Sequence, residues 1–346
     1  MKKYVALFLS LIMIFSAFAA CSQTADEPTA TEESASDVSQ ATTDEVSSDS
    51  NEQANVDVIK VAGMKGPTSI GMVKIMEDNT VSGKYDFTIA GTADEIAPKL
   101  IKGELNIAAV PANLASVLYN KTNGAVKVLA VNTLGVLYIV EKGESVNSIA
   151  DLKGKTIYAT GKGTTPEYSL RYLLTKNGID PDNDVTIEFR SEATEIVSVL
   201  ATAEEGIALL PQPYVTVASQ KVEGLRTAIN LNDEWNQLDN GSKLVTGVIV
   251  ARNDFISANP EAVTEFLKEY KTSVDYVNSN VEEAASLVEK FDIFAAAVAE
   301  KAIPHCNIVY LDGEEMKTAL TAYLSILHEQ NPASIGGTLP GEDFCY

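Results

Sequence analysis

The stretch Glu104-Leu105-Asn106-Ile107-Ala108-Ala109-Val110-Pro111 returns one hundred residues later as Glu204-Glu205-Gly206-Ile207-Ala208-Leu209-Leu210-Pro211. Each is a short apolar run stopped by proline, which cannot donate to a sheet ladder. At the same offset Glu95, Ile96, Leu100 and Val117 fall on Glu195, Ile196, Leu200 and Val217, making eight identities over residues 95–118. Upstream, the alternating run Tyr85–Ile89 falls on Val185–Phe189. At a slightly different offset, Lys65-Gly66-Pro67-Thr68 matches Lys162-Gly163-Thr164-Thr165, each after a strand pattern and before a helix pattern. Two copies of one strand–helix–strand–helix–strand–Pro–helix unit is the simplest reading. Such alternation predicts an α/β fold with mostly parallel sheets.

Working outward, Val56–Gly63 reads as a strand entering a glycine turn and Val126–Val140 as a long apolar run. A first crossing between lobes is expected near Val131–Leu134, and Val245–Ala251 reads as a strand returning to lobe one. Residues 259–279 and 312–330 show helical spacing. In the second of these Met316, Leu320, Tyr323, Leu324 and Leu327 share a face, and Asp312 is placed to cap the start. The expected organisation is lobe one from 56–131 and 247–346, with lobe two from 132–246.

Open α/β sheets bind ligands off the C-terminal strand ends, where helix N-termini leave N–H groups free. Facing lobes therefore predict a cleft. Lobe one would offer the Gly66, Pro67, Thr68 and Ser69 turn, Thr92, and Pro111 with Asn113. Lobe two would offer Lys162, Gly163, Thr164 and Thr165, then Gln212 and Pro213. The crossing segments would add Asn132, Thr133 and Thr246. The glycine-rich turn at 161–165 fails both the Walker and dinucleotide patterns, because Thr156 and Pro166 stand where glycines are required. Lys65 and Lys162 read equally as ligand contacts or as solvated lysines. No arginine is placed for a bidentate grip on an anion, although Arg190 ends a strand. The amides of Asn113, Asn132 and Gln212 suit an amide, heteroaromatic or zwitterionic solute, and each alone reads equally as a turn residue. Asp94, Glu95, Glu167 and Glu192 fall in or next to first helical turns, where the dipole favours acids without any cation.

The 346 residues carry 48 acids against 26 bases, a formal net charge of −22. This opposes nucleic-acid binding, which needs a basic face. Three Cys and two His leave no cysteine–histidine metal motif, so no metal and no cofactor is expected. Cys306 and Cys345 are a candidate disulfide in an oxidising compartment. Lys2 and Lys3 precede an apolar run, Tyr4–Ala20, that is short for a membrane span. It fits a signal peptide over residues 1–20. Residues 22–55 hold nine acids and no base, which leaves −15 on 56–346. Their Ser, Thr, Ala, Asp and Glu cannot bury enough surface to order the chain, so they read as a solvated tether.

Phe18-Ala19-Ala20-Cys21 resembles a bacterial lipobox, with Phe18 departing from the usual Leu. That resemblance implies cleavage before Cys21 and its lipidation, with residues 21–55 as a lipid-anchored tether. The Gly66–Ser69 turn, Gly103–Ala108, Val110–Asn113, Leu210–Pro213 and above all Ile149-Ala150-Asp151-Leu152-Lys153-Gly154-Lys155 resemble extracytoplasmic solute-binding lipoproteins of ABC importers. The group is that of type II binding proteins for sulfonates, taurine, nitrate and thiamine precursors. The resemblance covers roughly residues 56–330. It implies two Rossmann-like lobes joined by crossover hinge strands, and closure on a small molecule rather than catalysis. It further implies delivery to an ABC permease and its ATPase, a lipid anchor on the outer face of the cell membrane, and a monomer. An enzyme of the same fold, of the thiamine-precursor or menaquinone type, and a surface solute sensor are the alternatives.

Overall fold

A computed structural model of the chain describes residues 58–346, so the expected signal peptide, Cys21 and the tether lie outside the described residues. The first copy of the repeat is β1 (Ile59–Met64), α1 (Pro67–Ile70), α2 (Val73–Ser82), β2 (Tyr85–Ala90), α3 (Ala93–Lys102), β3 (Ile107–Pro111) and α4 (Ala112–Lys121). The chain then runs through β4 (Val126–Leu134) and β5 (Leu137–Lys142). The second copy is β6 (Thr156–Ala159), α5 (Thr165–Lys176), β7 (Thr186–Phe189), α6 (Ala193–Thr202), β8 (Gly206–Pro211) and α7 (Tyr214–Lys221), followed by β9 (Leu225–Asn230) and α8 (Leu231–Gln237). The rest is β10 (Val245–Arg252), α9 (Asn253–Ala258), α10 (Pro260–Ser279), α11 (Val281–Lys290), α12 (Ala296–Ala302), β11 (Ile308–Leu311) and α13 (Gly313–Gln330).

The strands form a six-stranded sheet, β11-β4-β10-β3-β1-β2, and a five-stranded sheet, β7-β6-β8-β5-β9. The repeat is visible in their registers. Val61 and Ala62 of β1 lie beside Ile107 and Ala108 of β3, and Ile157 and Tyr158 of β6 lie beside Ile207 and Ala208 of β8, both parallel. α3 and α6 begin and end one hundred residues apart. All of β3 is buried, as a parallel strand covered on both faces requires. In each sheet the next strand is antiparallel and comes from a crossing segment. β10 lies between β3 and β4, and β5 lies between β8 and β9. The fold is α/β, two Rossmann-like lobes joined by crossover strands.

β4 stays in the first sheet to Leu134, three residues beyond 131, and the crossing itself is Gly135-Val136. Gly135 is required there, since a Cβ would stand 2.4 Å from Oδ1 of Asn232. The Asn307 side chain donates to the Gly135 carbonyl, and the Leu134 amide donates to the Asn307 carbonyl at 3.1 Å.

A single apolar cluster runs through both sheets by way of α13. The five residues expected on its inner face are all buried. Tyr323 packs on Trp235 of α8 with ring centroids 5.5 Å apart, and Trp235 packs on Tyr172 of α5 at 4.7 Å. The Tyr323 hydroxyl meets that of Ser169 at 3.3 Å. Asp312 stands at the N-cap of α13 but makes no side-chain cap bond, because its carboxylate accepts instead from the Tyr310 hydroxyl at 2.9 Å.

After α13 the chain folds back as a strap along α4. Ser116 and Asn120 both donate to the Ile335 carbonyl at 2.9 Å. Phe344 packs edge-on against Tyr119, and the Tyr346 amide donates to the Val128 carbonyl at 2.9 Å. The strap also decides the cysteines. Cys345 bridges to Val128 near the start of β4, whereas Cys306 leads into β11, whose Ile308 pairs with Thr133 near the other end. Five strand residues at ~3.3 Å each separate those pairings, far beyond the ~6 Å that a disulfide spans. Both thiols are free, contrary to the candidate pairing, and burial pushes the Cys306 thiol well above its usual range. Among the described residues no helix is long and apolar enough to cross a membrane.

Two stability predictions follow from these contacts. Trp235 is fully buried, so Trp235→Ala is expected to destabilise the fold by ~3–5 kcal/mol in chemical denaturation. Glu141 is also buried. Desolvation raises its pKa, but donation from Ser145, Val146 and Arg226 outweighs this and holds the carboxyl below its ordinary value. The ion contributes stability that is present above the ordinary carboxyl pKa and is lost as pH falls through the lower folded value. Wild type is therefore expected to lose stability on acidification from pH 5 to pH 3 more steeply than Glu141→Gln, measured by urea midpoints across that range.

Candidate functional site

The two sheets present the C-terminal ends of β3 and β8 to the crossing region, where Pro111 pairs with Gly247 and Pro211 with Leu137. The ends of β3, β10 and β4 lie side by side, with Gly247 of β10 beside Pro111 on one flank and Thr133 on the other. The β1–α1 turn covers them. Its two hydroxyls are committed to the strand end: Thr68 and Ser69 donate to the Met64 carbonyl at 3.2 Å and 2.6 Å. Gly247 marks the tightest approach. A Cβ there would stand 2.6 Å from Oδ1 of Asn132 and 3.0 Å from Cγ2 of Thr68. Thus Thr68, Asn132, Thr133 and Gly247 form one group.

That group contains polar atoms without partners. Both amide atoms of Asn132 and the hydroxyls of Thr133, Thr246 and Tyr270 are buried and unbonded. Asn132 faces the Tyr270 hydroxyl, and neither closes a bond of proper geometry. Burial pushes the Tyr270 hydroxyl above its usual pKa, partly offset by the nearby Asn132. A buried polar group left unpaired costs ~1–3 kcal/mol, so this set does not add to stability. Sequence reading missed Tyr270 and its neighbour Tyr310, which lie 6.1 Å apart by ring centroid. They arrive on α10 and β11, from a part of the chain whose only signal is helical burial.

Asn113 begins the second group, and here the structure departs from expectation. Its amide is fully used by protein. Nδ2 donates to the carbonyls of Gly163 at 3.2 Å and Ser334 at 2.9 Å, and Oδ1 accepts from the Thr165 hydroxyl at 3.2 Å. Asn113, Gly163 and Thr165 are therefore brought together, but across the two copies of the repeat rather than around an open space. Thr164 turns inward and donates to the Gly161 carbonyl at 2.7 Å.

The side chains of the remaining predicted residues make contacts of their own. Lys162 is exposed, its ammonium 5.8 Å above the Phe189 ring. Gln212 is buried and spends its side-chain carbonyl on the amide and hydroxyl of Thr216, while its cis bond to Pro213 leads into α7. Arg190 stacks on Tyr158 and pairs with Glu188 at 3.1 Å, so it grips no anion. The acids near the turns are occupied locally. Glu95 accepts from the amides of Gly91 at 3.0 Å and Thr92 at 2.9 Å. Glu167 accepts from the Gly163 amide at 2.7 Å and from Arg171. Both helix N-termini therefore already hold a carboxylate of their own, which disfavours a second anion at the same N–H groups. Among the described residues no group of three or more His, Cys, Asp or Glu side chains stands where it could hold a metal ion.

Gly247→Ala tests the strand-end group. The added methyl must displace Asn132 or Thr68, so the variant is expected to keep its circular-dichroism spectrum, lose ~1–3 kcal/mol of stability and lose solute binding at least tenfold. Retained binding with intact Asn132 geometry in a crystal structure would remove this group from the site.

Comparison with known proteins finds similarity to binding proteins and to ABC-transporter structures. The sequence model of the family described as NMT1/THI5 like matches residues 121–284. A Brucella abortus protein named as a binding protein is 28% identical over 174 residues, which are 50% of this chain and 52% of that one. The chain thus spans about half the length of the curated relatives it matches. A solved structure of an ABC transporter from Parabacteroides distasonis is 27% identical with a TM-score of 0.70, covering 84% of this chain and 99% of that one. The periplasmic aliphatic sulphonate binding protein SsuA from Escherichia coli shares the fold at 14% identity, with a TM-score of 0.68 and 84% and 92% of the two chains covered. The resemblance to type II solute-binding proteins of the sulfonate, nitrate and thiamine-precursor group is borne out by these matches.

Proposed function

We propose that this chain is the solute-capturing lipoprotein of an ABC importer, closing two lobes over one small organic molecule without catalysing its conversion. The observation that carries the reading is the direct meeting of Asn113 of the first repeat with Gly163 and Thr165 of the second, at the strand ends where such sheets bind ligands. Lobe one comprises 58–134 and 245–346, and lobe two 137–244, with the Gly135-Val136 crossing as one hinge strand. Residues 1–20 are the leader, Cys21 carries the lipid, and 21–55 tether the body to the outer face of the cell membrane. The monomer hands its solute to a membrane permease driven by an ATPase. The ligand contacts are the strand-end group with Thr68, Asn132, Thr133 and Thr246, flanked by the turns at 66–69, 92, 162–165 and 212–213.

The solute is uncharged or zwitterionic. Three observations favour this over a sulfonate or nitrate. The unpaired buried groups of the site are all neutral amides and hydroxyls. The helix N-termini carry Glu95 and Glu167 already. The arginines nearest the turns are paired with acids.

A solute present at 100 times its Kd should add ~2.7 kcal/mol, a rise of several degrees in Tm. Neutral amides, heteroaromatics and zwitterions are expected to supply the hit, with little dependence on salt. Mass spectrometry of the denatured, freshly purified protein should recover the same molecule. Stabilisation by alkanesulfonates or nitrate alone would overturn the solute class, and no hit from a broad metabolite library would overturn the transport reading. Radiolabelled fatty acid should enter wild type and not Cys21→Ser.

A further inference from the structure

We propose that Asn113 is a positioning residue that latches the closed state, with the carboxyl-terminal strap setting the orientation of its amide. The inference rests on the hinge-closing reading above. Asn113 touches three separate parts of the molecule: the β6–α5 turn through the Gly163 carbonyl, the start of α5 through the Thr165 hydroxyl, and the strap through the Ser334 carbonyl. A primary amide has two N–H donors and one carbonyl, and here every one is used, in complete burial.

The three bonds are not equivalent in a hinge motion. Ser334 sits on a strap fastened to the same helix as Asn113, by Ser116 and Asn120 through the Ile335 carbonyl. That bond travels with α4 and persists when the lobes part. It also fixes the amide, since a flipped Asn113 would set its carbonyl against that of Ser334. The bonds to Gly163 and Thr165 cross between the repeats and exist only when the lobes meet. The receiving turn is itself held, by Glu167 on the Gly163 amide and by Thr164 on the Gly161 carbonyl. A fixed amide meeting a fixed turn gains two hydrogen bonds on closure with little further ordering. The residue thereby favours the closed state for any solute without touching it.

Hydrogen–deuterium exchange on the full chain, without added solute, reads the latch. The turns that meet at Asn113 lie in 160–168. A second facing pair is remote from it: a Cβ at Gly91 would stand 3.7 Å from Oε1 of Glu192. Asn113→Ala is expected to speed exchange about tenfold or more in 160–168, and also in 89–95 and 189–195, leaving strands β3 and β8 at wild-type rates. Thr165→Val, which keeps Asn113 on its strap, should do the same more weakly, and Thr165→Ser should restore wild-type exchange. Faster exchange confined to 160–168 would make Asn113 a local packing residue and overturn the latch while leaving hinge closure standing. Facing turns that exchange no faster than β3 and β8 in wild type and variants alike would overturn both the latch and the hinge reading.

Discussion

The placement of β10 between β3 and β4 is the constraint on which the rest of the structure depends. A strand that leaves the second sheet must re-enter the first antiparallel, and it does so with Gly247 flanked by Pro111 and Thr133. Because a glycine opens that strand, Asn132 and Thr68 can close over it. The same insertion sends the downstream chain back across the first lobe, where α10 delivers Tyr270 to Asn132 and α13 delivers Tyr323 to Trp235. One strand therefore ties the lobes together, fixes the site's geometry and organises the covering helices.

Electrostatics then act at the strand ends. The fold offers helix N-termini at the strand ends, which attract negative charge by geometry alone. Here the chain fills two of them from within, through Glu95 and Glu167. The capping acids order the turns, as acids in first helical turns commonly do. They also leave neutral hydrogen-bonding groups as the buried chemistry that is still unspent.

The repeat made the fold legible, because parallel strands buried on both faces leave apolar runs with sharp ends. Ile107-Ala108 and Ile207-Ala208 recur at the same offset, and Pro111 and Pro211 mark where each strand stops. The strand-end group was legible in part. Asn132, Thr133 and Thr246 stand in crossing segments, where polar residues interrupt apolar runs. Asn113 reads in sequence equally as a ligand contact or a turn residue, because nothing in a turn reveals that a strap more than two hundred residues downstream will occupy it. Tyr270 was invisible for the same reason, being one aromatic among several on a helix face. Asp312 and the cysteine pair show the limit of local rules. A better partner at Tyr310 and the length of β4 decided those two outcomes.

The aromatic seam has an optical consequence. Trp235 is the only tryptophan in the chain, and it is wedged between Tyr172 of α5 and Tyr323 of α13. The indole also donates to the Ser242 hydroxyl at 2.9 Å, on the return path toward β10. Tryptophan emission of the unlabelled protein thus comes from one indole, at the joint between the second repeat and the helix that covers it. Any sliding of α13 against α8 must change the wavelength and yield of that single emitter.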